Sequence, residues 1–142
     1  MTPFSFLFNV LWLVLGGGLA AIGWFIAAFV MALTIIGLPW ARAAFDNGVY
    51  TLWPFGVRSI GSGYMFPGAL GTGFFGLIGN IVWFVLAGWW LALGHVVMGI
   101  GYAITIIGLP FAWAHFKLAG FALWPIGRTL TRSDYSRRAY YA

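Results

Sequence analysis

The stretch TIIGLP occupies residues 34–39, and the same six letters return at residues 105–110, 71 positions later. Glycine tolerates backbone angles that other residues avoid. Proline lacks the N–H that a continuing helix needs, yet suits the first turn of a new one. Gly37 with Pro39, and Gly108 with Pro110, therefore predict a helix break. Upstream of each break lies an uncharged apolar stretch, residues 4–36 and 75–107. Downstream, PWARAAFDNG (39–48) and PFAWAHFKLAG (110–120) read as second helices. The first carries Arg42 and Asp46 at i,i+4 spacing and stops at Asn47-Gly48; the second stops at Gly120.

Sliding the chain by 71 residues aligns far more than this motif. Asn9 falls on Asn80, Trp12 on Trp83, Gly17 on Gly88, Ala21 on Ala92 and Phe45 on Phe116, and LWPFG at 52–56 meets LWPIG at 123–127. No gap is needed from Phe4 to Gly56, so the chain is an internal duplication. It divides into a first repeat at 4–60, a Gly-rich linker at 61–74, a second repeat at 75–131 and a basic tail at 132–142. NVLWLVLGGG, TIIGLPWARAAF and LWPFG, repeated as NIVWFVLAGWW, TIIGLPFAWAHF and LWPIGR, resemble the YccF family of small bacterial inner-membrane proteins. Their inner-membrane component domain occurs singly or in tandem. The resemblance spans about 4–60 and 75–131 and implies an inner-membrane protein with two tandem copies. It supplies no catalytic or ligand-binding residues.

Composition agrees. Charged residues make up 6% of the chain and hydrophobic ones 63%, against about 25% charged in soluble domains. Residues 1–41 hold no Asp, Glu, Lys or Arg, nor do residues 59–116. A membrane helix needs about 20 apolar residues, and the second run has room for two passes. The expected fold is an all-α integral membrane protein: two helical units, about four membrane crossings, broken helices and short interfacial helices. The apolar runs do not alternate, which excludes a β-barrel. The N-terminus lacks a basic leader region, so the first helix is expected to stay. There is no cysteine.

The net charge of +5 is no nucleic-acid signal. Arg42, Arg58, Lys117, Arg128, Arg132, Arg137 and Arg138 all lie outside the charge-free runs. This is the positive-inside pattern, and it places both termini in the cytoplasm. Both repeats then end on one side, which requires an even number of crossings in each. One route is a hairpin inside each apolar stretch, turning near Gly16-Gly17-Gly18 and Gly88-Trp89-Trp90, with a short interfacial helix after IGLP. The other is one long kinked helix outward and a return along 39–53 and 110–124. The second sets Arg42 and Lys117 at membrane depth, where charge is costly.

The remaining constellations are weak. GTGFFG at 71–76 has the spacing of a dinucleotide loop, but no acid lies about 20 positions on. Gly17-x-x-x-Ala21 and Gly88-x-x-x-Ala92 suit close helix packing. Asn9 and Asn80 need partners in an apolar helix, and an interhelical hydrogen bond is expected; with Arg42, Lys117 and His95 they form the alternative, a polar pathway. His95 replaces Trp24 of the first copy. Two histidines and two aspartates give no metal set, no cofactor is implied, and acid–base or nucleophilic catalysis lacks its groups. Two function classes remain. One is a homo-oligomeric channel or carrier for small ions, with anions favoured by the scarcity of acids. The other is a structural or accessory subunit of a larger membrane complex. The partners expected are the lipid bilayer and either further copies or another membrane protein.

Overall fold

The computed structural model describes residues 2–61 and 72–132. Each repeat is built alike. Helix α1 (Pro3–Trp12), a π turn (Leu13–Gly17) and α2 (Gly18–Leu33) follow in one rod; α3 (Leu38–Leu52) comes back, and β1 (Val57–Gly61) ends the unit. The second repeat gives α4 (Gly73–Trp83), a π turn (Phe84–Gly88), α5 (Trp89–Ala103), α6 (Leu109–Leu123) and β2 (Arg128–Arg132). The first helix starts where Thr2 Oγ1 accepts the Ser5 N–H at 3.2 Å.

Two helical rods, Pro3–Leu33 and Gly73–Ala103, are 31 residues each and apolar enough to cross a membrane. Each is about 46 Å long against a hydrocarbon core of about 30 Å. The hairpin expected inside each stretch does not form. At residues 13–17 and 84–88 the helix widens by a π turn and runs on. Gly16 there adopts φ 143°, open to glycine alone, and kinks the first rod; the second has Ala87 at that place and keeps helical angles. The reversal falls instead at residues 34–37 and 105–108, so α3 packs antiparallel on α2, and α6 on α5. Helices α3 and α6, of 15 residues, reach about 22 Å.

The repeated hexapeptide works as a hinge. Thr34 Oγ1 donates to Met31 O at 2.9 Å and accepts the Gly37 N–H at 3.2 Å. Thr105 does the same with Tyr102 O and Gly108 N, at 3.0 and 3.1 Å. A Cβ on Gly37 would fall 2.5 Å from Thr34 Oγ1 and 2.7 Å from the Met31 carbonyl, so only glycine fits. Pro39 and Pro110 then sit in the first turn of the returning helices.

A short antiparallel strand pair, absent from the sequence expectation, ties the repeats together. Ser59 pairs with Leu130, its own equivalent 71 positions on. Two further positions meet their equivalents: Trp24 touches His95, and Tyr50 lies 5.7 Å from Phe121, ring to ring. One contact away from these comes as a reciprocal pair. Phe8 meets Phe111, and Gly79 meets Trp40, with each residue exchanged for its equivalent. A position that touches its own equivalent lies on a two-fold axis. The three points step from mid-helix (24/95) through the ends of α3 and α6 (50/121) to the strands (59/130), so this approximate axis runs along the bundle.

Trp12, Trp24, Trp83 and Met31 are at most 1% exposed, within a core shared by both repeats. Outside, Val14, Leu19, Phe29 and Leu33 on the first rod, and Val85, Leu93 and Val97 on the second, are exposed. So broad an apolar surface suits lipid rather than water. This is a helical membrane protein of two tandem units. Of the expected linker, Gly61 belongs to β1, and Gly73 and Phe74 open α4. Residues 62–71 and the tail beyond Arg132 lie outside the described residues.

Candidate functional site on the axis between the repeats

The polar groups at the centre of the bundle are two histidines. His95, on α5, and His115, on α6, are 3% and 0% exposed. Their Nδ1 atoms lie 3.0 Å apart. On the far side of the His95 ring, Trp24 Nε1–H donates to Nε2 at 3.2 Å. This pattern assigns the protons. His95 Nε2 accepts, so the neutral ring carries its proton on Nδ1 and donates it to His115 Nδ1. His115 then holds its own proton on Nε2, and that buried atom has no hydrogen-bond partner among the described residues.

Aromatic rings enclose the pair. Trp12 lies 4.5 Å from the His115 ring, and Tyr102 stacks on it at 5.4 Å with an interplanar angle of 11°. Trp24 stacks on Trp83 at 5.3 Å. The Tyr102 hydroxyl donates to the Leu15 carbonyl within the first π turn. Among the described residues, no group of three His, Asp or Glu could hold a metal ion. The site is a hydrogen-bonded wire, Trp24 to His95 to His115, within a wall of indoles.

Asn9 and Asn80 lie at the strand end of this core, 0% and 2% exposed. Asn9 Nδ2 donates to Phe55 O, and Phe55 N–H donates to Asn9 Oδ1, both at 2.9 Å. Asn80 repeats this double bond with Ile126 at 3.0 Å each way, and its Nδ2 reaches Gly76 O as well. Each amide thus clamps the loop after Trp-Pro to the long helix of its own repeat. One turn deeper, Trp12 Nε1 donates to Thr51 O at 2.7 Å and Trp83 Nε1 to Ala122 O at 2.6 Å.

Gly17 and Gly88 make room for those indoles. A Cβ on Gly17 would strike Trp12; one on Gly88 would come 2.9 Å from Trp83 Nε1 and 3.0 Å from Ala122 O. Ala21 and Ala92 are buried near by. Arg42 stands apart from all of this, its side chain 91% exposed on the outer face of α3 with Asp46 one turn on at 4.0 Å. Lys117, the equivalent of Asp46, lines a cleft beside α6. The structure therefore joins His95 to the core and leaves Arg42 outside it.

Sequence reasoning missed His115. It replaces Ala44 of the first repeat just as His95 replaces Trp24. Both histidines depart from the duplication pattern, and that shared departure was the available signal.

An inner membrane component domain model matches the chain twice, over residues 7–57 and 78–128, the same 71-residue spacing. The chain belongs to the YccF family. Its YccF relatives include the Inner membrane protein YccF of Escherichia coli (strain K12), 37% identical over 135 residues, which cover 92% of this chain and 90% of the relative. The Shigella flexneri protein of the same name is similar to the same degree. No solved structure matches this YccF chain. Family membership makes it an inner-membrane component.

Proposed function

We propose that this chain is a non-enzymatic structural or accessory component of a larger inner-membrane assembly, crossing the bilayer four times with both termini cytoplasmic. One observation carries the reading. The axis between the repeats, where a path through a single chain would run, is filled by Trp24, His95, Tyr50 and Phe121. Four helices rarely enclose a pathway alone, and the amides of Asn9 and Asn80 are already bonded to backbone.

The exposed Arg42 favours a second reading, a homo-oligomeric channel or carrier for small anions with its path between copies. Purified protein in liposomes separates the two. The accessory role expects no chloride or cation flux from folded protein. Chloride flux that falls when Arg42 and Lys117 are changed to Gln would overturn it in favour of the conduit.

A further inference from the structure

A cleft of about 350 Å³ opens between the repeats at the strand end of the bundle. The first repeat lines it with Tyr50 and the loop from Pro54 to Val57; α6 of the second lines it with Trp113 and Lys117. The equivalent place beside α3 differs. There the Arg128 guanidinium lies over the Phe121 ring, 5.7 Å from its centre. Val57 stands where the second repeat has Arg128, and Tyr50 where it has Phe121. Valine does not reach as far as arginine, and the cleft lies open on this flank.

The chain itself leads to this cleft. Arg132, the last residue of β2, pairs with Val57 in its wall. The other strand end, Gly61, pairs with Arg128 on the α3 flank. The segment that follows Arg132 therefore starts at the open cleft and not at its equivalent. Asp134 comes two residues on, a reach of up to about 7 Å.

We propose that residues 133–136 of the chain's own tail dock in this cleft, with the Asp134 carboxylate on the Lys117 ammonium. Charge selects the occupant. Asp46 and Asp134 are the two acids of the chain. Asp46 belongs to the α3 flank, 4.0 Å from Arg42. Lys117 holds the place of Asp46 in the second repeat, so α6 carries a cation where α3 carries an acid, and Asp134 brings the acid to it. Lys117 is not without a partner in this chain, and an ammonium with three N–H donors has room for a carboxylate among its partners. Tyr135 comes next. Its ring suits a cleft walled by Trp113 and Tyr50, with the hydroxyl toward the interface, where such amphipathic rings settle. Arg137 and Arg138 follow Asp134 by three and four residues, about 10 Å or more of extended chain, and stay in the basic cytoplasmic layer. Docked in this way, the tail straps the loop of the first repeat to α6 of the second. The docking is independent of both readings of function given above.

The chain has no cysteine, so introduced thiols report only on themselves. Membranes carrying the doubly substituted chain, Lys117→Cys with Asp134→Cys, are oxidised with copper-phenanthroline. The expected product is a disulfide within one chain, forming at least 10-fold faster than in Asp46→Cys with Asp134→Cys. A nitroxide label on Ser136→Cys, in lipid vesicles, gives a second readout. Its spectrum is expected to be that of an immobilised label with Asp134 in place and of a mobile one in Asp134→Asn. Lys117→Asp with Asp134→Lys restores the immobilised spectrum, which no misfolded variant would do. Equal rates from the two cysteine pairs would overturn the proposal, as would a label whose mobility ignores both charge changes. So would a disulfide that joins two chains in place of one, since the cleft would then take the tail of another copy.

Discussion

Trp24 and His95 hold the same place in the two repeats and bond to each other, the indole N–H donating to His95 Nε2 at 3.2 Å. A contact between equivalents has no twin elsewhere to share its load. The Asn9 and Asn80 clamps, by contrast, are matched, and a loss in one repeat leaves the other's in place. On the axis, one substitution acts on both halves.

His95→Leu leaves Trp24 Nε1 and His115 Nδ1 buried without partners. Each lost partner costs about 1–3 kcal/mol. His95→Trp restores the first repeat's residue, yet sets a second indole against Trp24 where one ring now fits, and overpacking costs about 1–3 kcal/mol. Both variants are expected to unfold at lower temperature than the parent in mild detergent. A His95→Trp protein as stable as the parent would mean the axis can open to admit both rings.

Asn9→Ala and Asn80→Ala each remove a two-way clamp between a long helix and the backbone after Trp-Pro. Leaving the freed backbone groups of Phe55 or Ile126 unpaired costs about 1–3 kcal/mol apiece. Hydrogen exchange is expected to rise at residues 55–57 for the first variant and 126–128 for the second, each confined to its own repeat. Equal rises in both regions from either variant would show the clamps to be coupled.

Glycines in the same helices separate by what surrounds them. Gly88→Ala brings a methyl against Trp83 Nε1 and the Ala122 carbonyl, disturbing the 2.6 Å bond between those groups. Among the described residues, nothing lies within 4 Å of a Cβ added at Gly94, Gly101 or Gly120. Gly88→Ala is expected to destabilise, whereas alanine at the three open positions removes the entropic cost of glycine in a helix, about 0.5–1 kcal/mol. Thermal unfolding in detergent should rank Gly88→Ala below the parent and Gly94→Ala at or above it.

Pairing of Val57–Gly61 with Arg128–Arg132 sets the ends of the two repeats side by side. Reporters fused at residues 60 and 142 are expected to agree, both reading cytoplasm. Opposite readings would break the even-crossing topology.

The duplication, the membrane location and the helix breaks were legible in the sequence because each is a local or additive property. Charge-free length sets membrane partition, and Thr34, Gly37 and Pro39 carry the hinge within one turn. Where the chain reverses was not legible. Gly16-Gly17-Gly18 can bend a helix or end it. The choice fell to packing, since Gly17 houses Trp12, whose indole then reaches Thr51 on the returning helix. The strand pair was hidden for a related reason: β1 and β2 hydrogen-bond to each other across a register centred on residues 71 apart. His95 departs from Trp24 and His115 from Ala44, but nothing local in the sequence pairs the two. Packing of α5 on α6 within the second repeat brings His95 to His115, and the two-fold arrangement of the repeats sets Trp24 against His95, because tertiary packing, and no spacing along the chain, decides which residues touch.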